Sequence, residues 1–203
     1  MTKVSILIPT YNERNNVVPL LQRILHTLAH EEIEIVVIDD NSPDGTGDVI
    51  QSTFGQDERV KLLRRQGKMG LGSAIMDGLN LSSGKYIITM DADLSHNPND
   101  IPRMIEEAKT VDLVIGSRYI EGVNVINWPM SRLLLSYFAN KYVKFFTRLR
   151  INDSTSGYKC INTRVLKKIN LDKVQSEGYS FQIEINFLAV VKKFTIKEIP
   201  IIF

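Results

Sequence analysis

Asp91 and Asp93 follow the apolar run KYIITM (85–90), with a single alanine between them. Two carboxylates this close repel each other unless a cation lies near both. Magnesium is usually bound through one or two protein carboxylates together with the phosphate oxygens of a substrate. The pair therefore predicts a divalent ion that also holds a phosphate-bearing ligand, whereas the lack of cysteine nearby argues against a structural zinc site.

Three further polar segments come directly after apolar runs. They are PTYNE (9–13), DDNSPDGT (39–46) and GSRY (116–119). In an open α/β sheet, ligands bind at the carboxyl ends of the strands. Acidic, aromatic and basic side chains are therefore expected to meet at one edge of the sheet, where Asp40 is suited to hydrogen-bond a base or a ribose.

The glycine-rich segment GKMGLGSA (67–74) precedes a predicted helix. It matches neither a P-loop nor the dinucleotide fingerprint, because its Lys68 comes before the glycines and position 75 is isoleucine. We interpret the segment as a tight backbone turn that brings Lys68 near a phosphate. His96, which precedes Asn-Pro, is interpreted as a loop residue rather than a metal ligand.

The apolar pattern indicates which elements position these residues. Short runs rich in valine and isoleucine predict buried strands, and residues spaced three and four apart predict helices between them. The predicted strands are 4–8, 33–39, 60–63, 85–90 and 111–116, and the predicted helices are about 15–29, 71–82 and 100–109. This alternation predicts a single α/β domain with a Rossmann-like, mainly parallel sheet flanked by helices.

Composition excludes several function classes. The 203 residues carry a formal net charge of +2, so the overall charge gives no indication of nucleic-acid binding. Cys160 is the only cysteine, which excludes an internal disulfide and favours a reducing compartment. We find no candidate signal peptide and no run of about 18 apolar residues, so we expect no segment that crosses a bilayer.

Residues 129–150 form a predicted basic amphipathic helix. Its apolar face comprises Leu134, Phe138, Tyr142, Phe145 and Leu149, and its charges come from Arg132, Lys141, Lys144, Arg148 and Arg150. Such a helix can lie on a membrane surface. It can equally pack its apolar face on the sheet and expose its basic side, and the sequence leaves both interpretations open.

Seven segments, in order, resemble the dolichol-phosphate mannose synthases of glycosyltransferase family 2. They are VSILIPTYNE, VVIDDNSPDGT, GLGSAIMDGL, MDADLSHNP, VIGSRY, NWPMSR and DSTSGYK. The resemblance runs from about residue 3 to the end of the chain. PTYNE and the Asp-x-Asp pair indicate only the broad family, whereas the last four segments point to transfer onto a polyprenyl phosphate.

The resemblance implies a GT-A catalytic domain over residues 1–203, with a nucleotide-sugar-binding part (1–117) and an acceptor-side part (118–203). The implied reaction is inverting transfer of mannose from GDP-mannose to dolichyl or polyprenyl phosphate, with Mg or Mn as the ion. The implied location is peripheral, on the cytoplasmic side of a membrane. A basic Arg…Gly-x-Ser-Lys loop, and any transmembrane segments, are expected to lie beyond Phe203.

The resemblance also implies roles for individual residues. The nucleotide-sugar contacts would be Pro9, Tyr11, Glu13, Ile38, Asp40, Asp91, Ala92, Asp93 and Arg118, to which the glycine-rich turn adds Lys68. The metal would be held by Asp93 and Asp91 with Ser95, which replaces the glutamine common in the family. Arg118, Arg132 and Ser136 would hold the acceptor phosphate, and Asp93, Arg118 and Asp153 would lie at the reacting centre.

The expected chemistry requires no strong general base. A phosphate ester has a second pKa of about 6, so the acceptor is already an anion. A divalent ion on Asp93 can stabilise the departing diphosphate. The alternatives are a transferase that uses a UDP-sugar to add glucose or N-acetylglucosamine, an inactive nucleotide-sugar-binding domain and, more weakly, a cytosolic nucleotidyltransferase.

Overall fold

Seven strands form one sheet in the order β3-β2-β1-β4-β6-β5-β7. The computed structural model describes residues 3–126, 129–169, 171, 174 and 176–203. The strands are β1 (Val4–Thr10), β2 (Ile33–Asp39), β3 (Val60–Arg64), β4 (Tyr86–Thr89), β5 (Leu113–Ser117), β6 (Lys159–Asn162) and β7 (Ile196–Pro200). Five of them, β1 to β5, match the predicted strands to within two residues at every end, because each is a short run rich in apolar residues. Four of the five are buried, whereas the edge strand β3 is only partly buried.

Helices cover both faces of the sheet. They are α1 (Arg14–Thr27), α2 (Thr46–Phe54), α3 (Leu71–Asn80), α4 (Ile101–Glu107), α5 (Met130–Thr147), α6 (Thr163–Ile169) and α7 (Gly178–Val191), with a 3-10 turn at Pro98–Asp100 before α4. Alternate residues of β1 and β2 enter two separate cores. One core is closed by α1, α2 and α4 and the other by α3, α6 and α7.

The direction of the strands decides where their ends meet. β1 pairs in parallel with β2 and β4, and β5 pairs in parallel with β7. β6 runs antiparallel to both β4 and β5, so those two strands point the same way. The carboxyl ends of β1, β2, β4 and β5 therefore lie at one edge of the sheet, as the sequence predicts.

Helix α5 does not bury the apolar face that the sequence predicts. Leu134, Phe138, Tyr142 and Phe145 are all exposed, Phe145 to 79%. Only Leu149 is buried, and it lies beyond the end of the helix. The interpretation in which this face packs on the sheet is therefore wrong for the part of the chain that the structure describes.

Candidate active site

A cleft of about 300 Å³ opens at the carboxyl edge of the sheet. Its lining includes the predicted residues Pro9, Tyr11, Glu13, Asp40, Lys68, Asp91, Ala92 and Asp93. The structure thus brings together residues at the carboxyl ends of three different strands and in one turn. Ile38 is not among the lining residues, because its side chain is fully buried in the core beside Gly78.

The turn that carries Asp91 and Asp93 is held by its own side chains. The carboxylate of Asp93 accepts hydrogen bonds from the backbone N–H of Ser95 and, at 2.5 Å, from the Ser95 hydroxyl. The backbone N–H of Asp91 donates to Nδ1 of His96 at 2.9 Å. Ser95 therefore orients the Asp93 carboxylate, while both aspartates face the cleft.

The donor set of this turn fits a hard divalent ion. Asp91 and Asp93 offer carboxylate oxygens to the cleft, and no group of three or more His, Cys, Asp or Glu side chains gathers as a metal site among the described residues. Such an ion must complete its coordination with water and with a ligand that brings its own oxygens. Mg²⁺ bound together with substrate phosphates has this requirement, and Mn²⁺ accepts the same oxygen ligands.

Asp40 lies at the centre of a buried network on the opposite wall of the cleft. Its carboxylate accepts from Nη1 of Arg65 at 2.7 Å and from the backbone N–H of Met69 at 3.3 Å. Arg65 also donates to the hydroxyl of Ser73 and lies 3.0 Å from the carboxylate of Asp77. The network ties the end of β2 to the glycine-rich turn, and so fixes the carboxylate that the sequence assigns to the nucleotide.

Lys68 projects over the mouth of the cleft. Its ammonium lies 4.5 Å from the centre of the Tyr11 ring, within the range of a cation–π contact. The turn that carries it is tight, because Gly70 adopts φ +92° and has the Glu177 carboxylate close to where a Cβ would stand. A side chain at position 70 would be strained, so the glycine is required by the backbone rather than by a ligand.

A second, apolar pocket of about 370 Å³ lies between α5 and α7. It is lined by Arg118, Leu135, Ser136, Ala139, Val143, Thr155, Tyr179 and Ile183. The predicted acceptor residues Arg118 and Ser136 thus share one cavity. The side chain of Arg132, with Asn127 and Trp128 of the NWPMSR segment, lies outside the described residues.

Arg118 is held by a buried ion pair with Asp153. The Asp153 carboxylate is completely inaccessible and accepts from Nε and Nη2 of Arg118 at 2.7 Å each, and from the Arg118 backbone N–H at 3.0 Å. Burial would lower the pKa of Arg118, but the hydrogen bonds and charge of Asp153 raise it above its usual value. Asp153 therefore keeps Arg118 charged and oriented, and does not itself line either cavity among the described residues.

The two cavities adjoin at residues 155–157. Thr155 lines the apolar pocket, and a Cβ built on Gly157 would lie 3.5 Å from a carboxylate oxygen of Asp91. A ligand in the acidic cleft and one at the arginine end of the apolar pocket can therefore approach each other.

Sequence reasoning missed Arg65, which holds Asp40 from behind the cleft, and several residues that line the apolar pocket. Arg65 comes directly after β3, so its place at the same sheet edge could have identified it. Tyr179 and Ile183 belong to α7, an element that the strand-and-helix pattern of residues 1–117 does not reach. Spacing along α7 would have predicted a helix, but not that this side of it faces α5.

Comparison with known proteins identifies the family. Residues 5–170 match the model of the family described as glycosyl transferase family 2. The chain belongs to glycosyl transferase family 2. The family prediction made from the motifs is thereby confirmed.

Two curated relatives align with almost the whole chain. A polyprenol monophosphomannose synthase of Mycolicibacterium smegmatis is 41% identical over 203 residues, which cover 98% of this chain and 76% of that protein. An undecaprenyl-phosphate mannosyltransferase of Micrococcus luteus is 38% identical over 204 residues, covering 99% and 83%.

Solved structures confirm the GT-A-type fold at much lower identity. Glucosyl-3-phosphoglycerate synthase of Mycobacterium tuberculosis, solved with Mn²⁺, UDP and phosphoglyceric acid, gives a TM-score of 0.70 at 17% identity, covering 98% of this chain and 68% of that one. A mannosyltransferase of Pyrobaculum calidifontis, solved with GDP-Man and Mn²⁺, gives 0.66 at 16%, covering 98% and 55%. At these identities the likeness concerns the fold alone.

Proposed function

We propose that this family 2 member transfers mannose from GDP-mannose to a polyprenyl phosphate with the help of a divalent cation. The observation that carries the proposal is the junction of an acidic, polar cleft with an apolar pocket that has an arginine in its wall. The acidic, polar cleft suits a nucleotide sugar, and the apolar pocket with its arginine suits a lipid phosphate. The two mannosyltransferase relatives, at 41% and 38% identity, support the choice of sugar and acceptor.

The cleft supplies what a nucleotide-sugar donor requires. Asp40, fixed by Arg65, offers a carboxylate oxygen to the N–H groups of a base or the hydroxyls of a ribose. Lys68 and Tyr11 stand at the mouth, where a cation can pair with a diphosphate. Asp91 and Asp93 would hold Mg or Mn, which supplies Lewis-acid stabilisation of the leaving diphosphate when bound.

The apolar pocket supplies what the acceptor requires. Its walls suit an isoprenoid chain, while Arg118 can make a charge-assisted hydrogen bond to the phosphate. Because that phosphate is already anionic at neutral pH, this chain need not supply a general base. Asp153 positions Arg118, and the charge of Arg118 holds the acceptor phosphate close to the anionic diphosphate of the donor.

The exposed face of α5 supports a location at a membrane surface. Phe138, Tyr142, Phe145 and Phe146 are each more than 60% exposed, and the same helix carries Lys141 and Lys144. An exposed apolar patch rimmed by cations fits the interface of an anionic membrane. No helix among the described residues is long and apolar enough to cross a bilayer. We propose peripheral attachment on the cytoplasmic face, with vesicle co-sedimentation as the test and its absence on anionic vesicles as the contrary result.

Substitution of Asp93 tests the proposed catalysis. We expect Asp93→Ala to abolish metal-dependent transfer of labelled mannose to a short polyprenyl phosphate, while the far-ultraviolet spectrum stays that of the wild type. Asp57→Ala, at a partly exposed aspartate paired with Arg59, is the matched control and should transfer normally. Near-normal transfer by folded Asp93→Ala protein would contradict the proposal.

Two further measurements separate donor from acceptor. Thermal shift with Mn²⁺ should show a larger stabilisation by GDP-mannose than by UDP-glucose or UDP-N-acetylglucosamine, because a ligand stabilises the state that binds it. Arg132→Ala should raise the KM for polyprenyl phosphate and leave the affinity for GDP-mannose unchanged. A change confined to the donor would remove Arg132 from the acceptor site.

A further inference from the structure

We infer that His96 is a positioning residue for the metal-binding turn, holding Asp91 through its backbone and facing its carboxylate. The inference rests on the proposed function, because it assigns Asp91 to the donor and its cation. His96 is only 1% exposed, so it is not itself a ligand that the cleft can reach. It lies beneath the turn that it closes.

The hydrogen bond from the Asp91 backbone fixes the state of the imidazole. Nδ1 of His96 accepts the Asp91 N–H at 2.9 Å, so in the neutral ring the proton must be on Nε2. That Nε2 lies 3.9 Å from the nearer carboxylate oxygen of Asp91. This distance is too long for a hydrogen bond, so the Nε2–H group acts on the Asp91 carboxylate only through its dipole. The position of Asp91 is set by the hydrogen bond from its backbone N–H to Nδ1.

Packing holds the ring in one orientation. The imidazole stacks on Tyr158 with ring centres 4.7 Å apart and an interplanar angle of 16°, and Phe203 contacts it edge-on at 5.3 Å. Tyr158 is itself fully buried and donates its hydroxyl to the backbone carbonyl of Asn97 at 2.8 Å. The ring therefore has little freedom to turn its Nδ1 away from Asp91.

The turn needs such an anchor because one of its residues is strained. Leu94 adopts φ +66°, a left-handed conformation that is strained for a residue with a side chain. Two anchors oppose relaxation of this turn: the bonds from Ser95 to Asp93 and the bond from Asp91 to His96. Loss of the second would free the Asp91 end of the turn while leaving the Asp93 end fastened.

Two substitutions separate the hydrogen bond from the packing. His96→Phe keeps a ring against Tyr158 but removes the acceptor, whereas the amide oxygen of His96→Asn can replace Nδ1 as acceptor without the ring. We expect the apparent Kd for Mn²⁺, measured by electron paramagnetic resonance at saturating GDP, to rise about 10- to 100-fold in His96→Phe. His96→Asn should stay within about threefold of wild type, and His30→Asn, at an exposed histidine, should equal it.

The outcomes distinguish this inference from the proposed function. Wild-type protein that fails to bind Mn²⁺ with GDP would overturn the proposed function, and this inference with it. Two results would overturn the inference alone, provided that the wild type binds Mn²⁺ with GDP. In one, His96→Phe binds Mn²⁺ as tightly as the wild type; in the other, His96→Asn loses as much Mn²⁺ affinity as His96→Phe. Nitrogen-15 spectra of the wild-type imidazole give a test independent of how the variants fold: protonation at Nε2 is expected, and protonation at Nδ1 would refute the geometry.

Discussion

Lys159 is a completely buried lysine whose removal should stabilise the protein at neutral and acidic pH. Its side chain is 1% exposed, and its ammonium donates to the backbone carbonyl and the side-chain oxygen of Gln182 at 3.1 and 2.5 Å. Burial lowers the pKa of Lys159 to about 7 from 10.5, although the charge of Asp153 opposes this shift. The perturbation that tests this is Lys159→Met, which keeps the length of the side chain and removes the charge.

The size and sign of the effect follow from the pKa. Between pH 7 and pH 10.5 the unfolded chain binds a proton that the folded chain does not, so wild-type stability rises with pH in this window. The full shift corresponds to about 5 kcal/mol, which is present as a cost below pH 7 and absent above pH 10.5. Lys159→Met removes this destabilisation. It also leaves the Gln182 oxygens without their hydrogen-bond donor, which lowers the free energy of unfolding by about 1–3 kcal/mol.

The difference between the two proteins should therefore change sign with pH. We expect Lys159→Met to be more stable than wild type by about 2–4 kcal/mol at pH 6, and less stable by about 1–3 kcal/mol at pH 10.5. Urea denaturation at several pH values measures the free energy of unfolding directly. Lys167→Met, at an exposed lysine of α6, should change it by less than about 0.5 kcal/mol throughout. Parallel pH profiles for wild type and Lys159→Met would refute the reasoning.

Two other predictions concern the fold that carries the site. Burial alone would raise the pKa of Glu34, but hydrogen bonds from Lys61, Ser5 and the Ser83 backbone lower it to about 2. The Glu34 carboxylate therefore stabilises the folded protein fully above its unfolded pKa near 4.5, and this stabilisation is lost as the pH falls towards 2. Glu34→Gln should then cost about 3 kcal/mol at pH 7 and almost nothing at pH 2 in urea titrations, and an equal loss at both pH values would contradict this account. In Gly72→Ala the new Cβ would lie 2.9 Å from the Phe181 ring and 3.2 Å from the Ser176 carbonyl, so we expect a loss of about 1–3 kcal/mol. Gly67→Ala, with open space around it, is the control, and equal stability of the two variants would show that α3 and α7 separate readily.

The acidic cleft was largely predictable because local patterns determine it. The strands β1, β2 and β4 are short apolar runs, and the residues that reach the cleft lie at or just after the carboxyl end of each. In a parallel arrangement the carboxyl ends coincide, so Pro9, Asp40 and Asp91 needed no further information to be placed together. Ile38, which the resemblance assigns to the nucleotide sugar, has its side chain in the core, since alternation along β2 directs it there.

The apolar pocket was less predictable because long-range contacts determine it. β6 inserts antiparallel between β4 and β5. The pattern of apolar and polar residues in KCIN (159–162) does not indicate that position in the sheet. The pocket beside Arg118 is made where α5 and α7 approach each other, which depends on tertiary packing. The resemblance implies a place near the reacting centre for Asp153 but does not indicate its partner, and the structure shows it buried and paired with Arg118.

Product analysis of a competition reaction tests the central claim most directly. The protein would be given equimolar GDP-mannose, UDP-glucose and UDP-N-acetylglucosamine with Mn²⁺ and a short polyprenyl phosphate, and the lipid products and released nucleotides would be identified by mass spectrometry. The account predicts one lipid product, the polyprenyl phosphate plus one hexose, with GDP released in equal amount. Release of UDP with a glucosyl or N-acetylglucosaminyl lipid, or no lipid product from folded protein that binds Mn²⁺ and GDP, would contradict it.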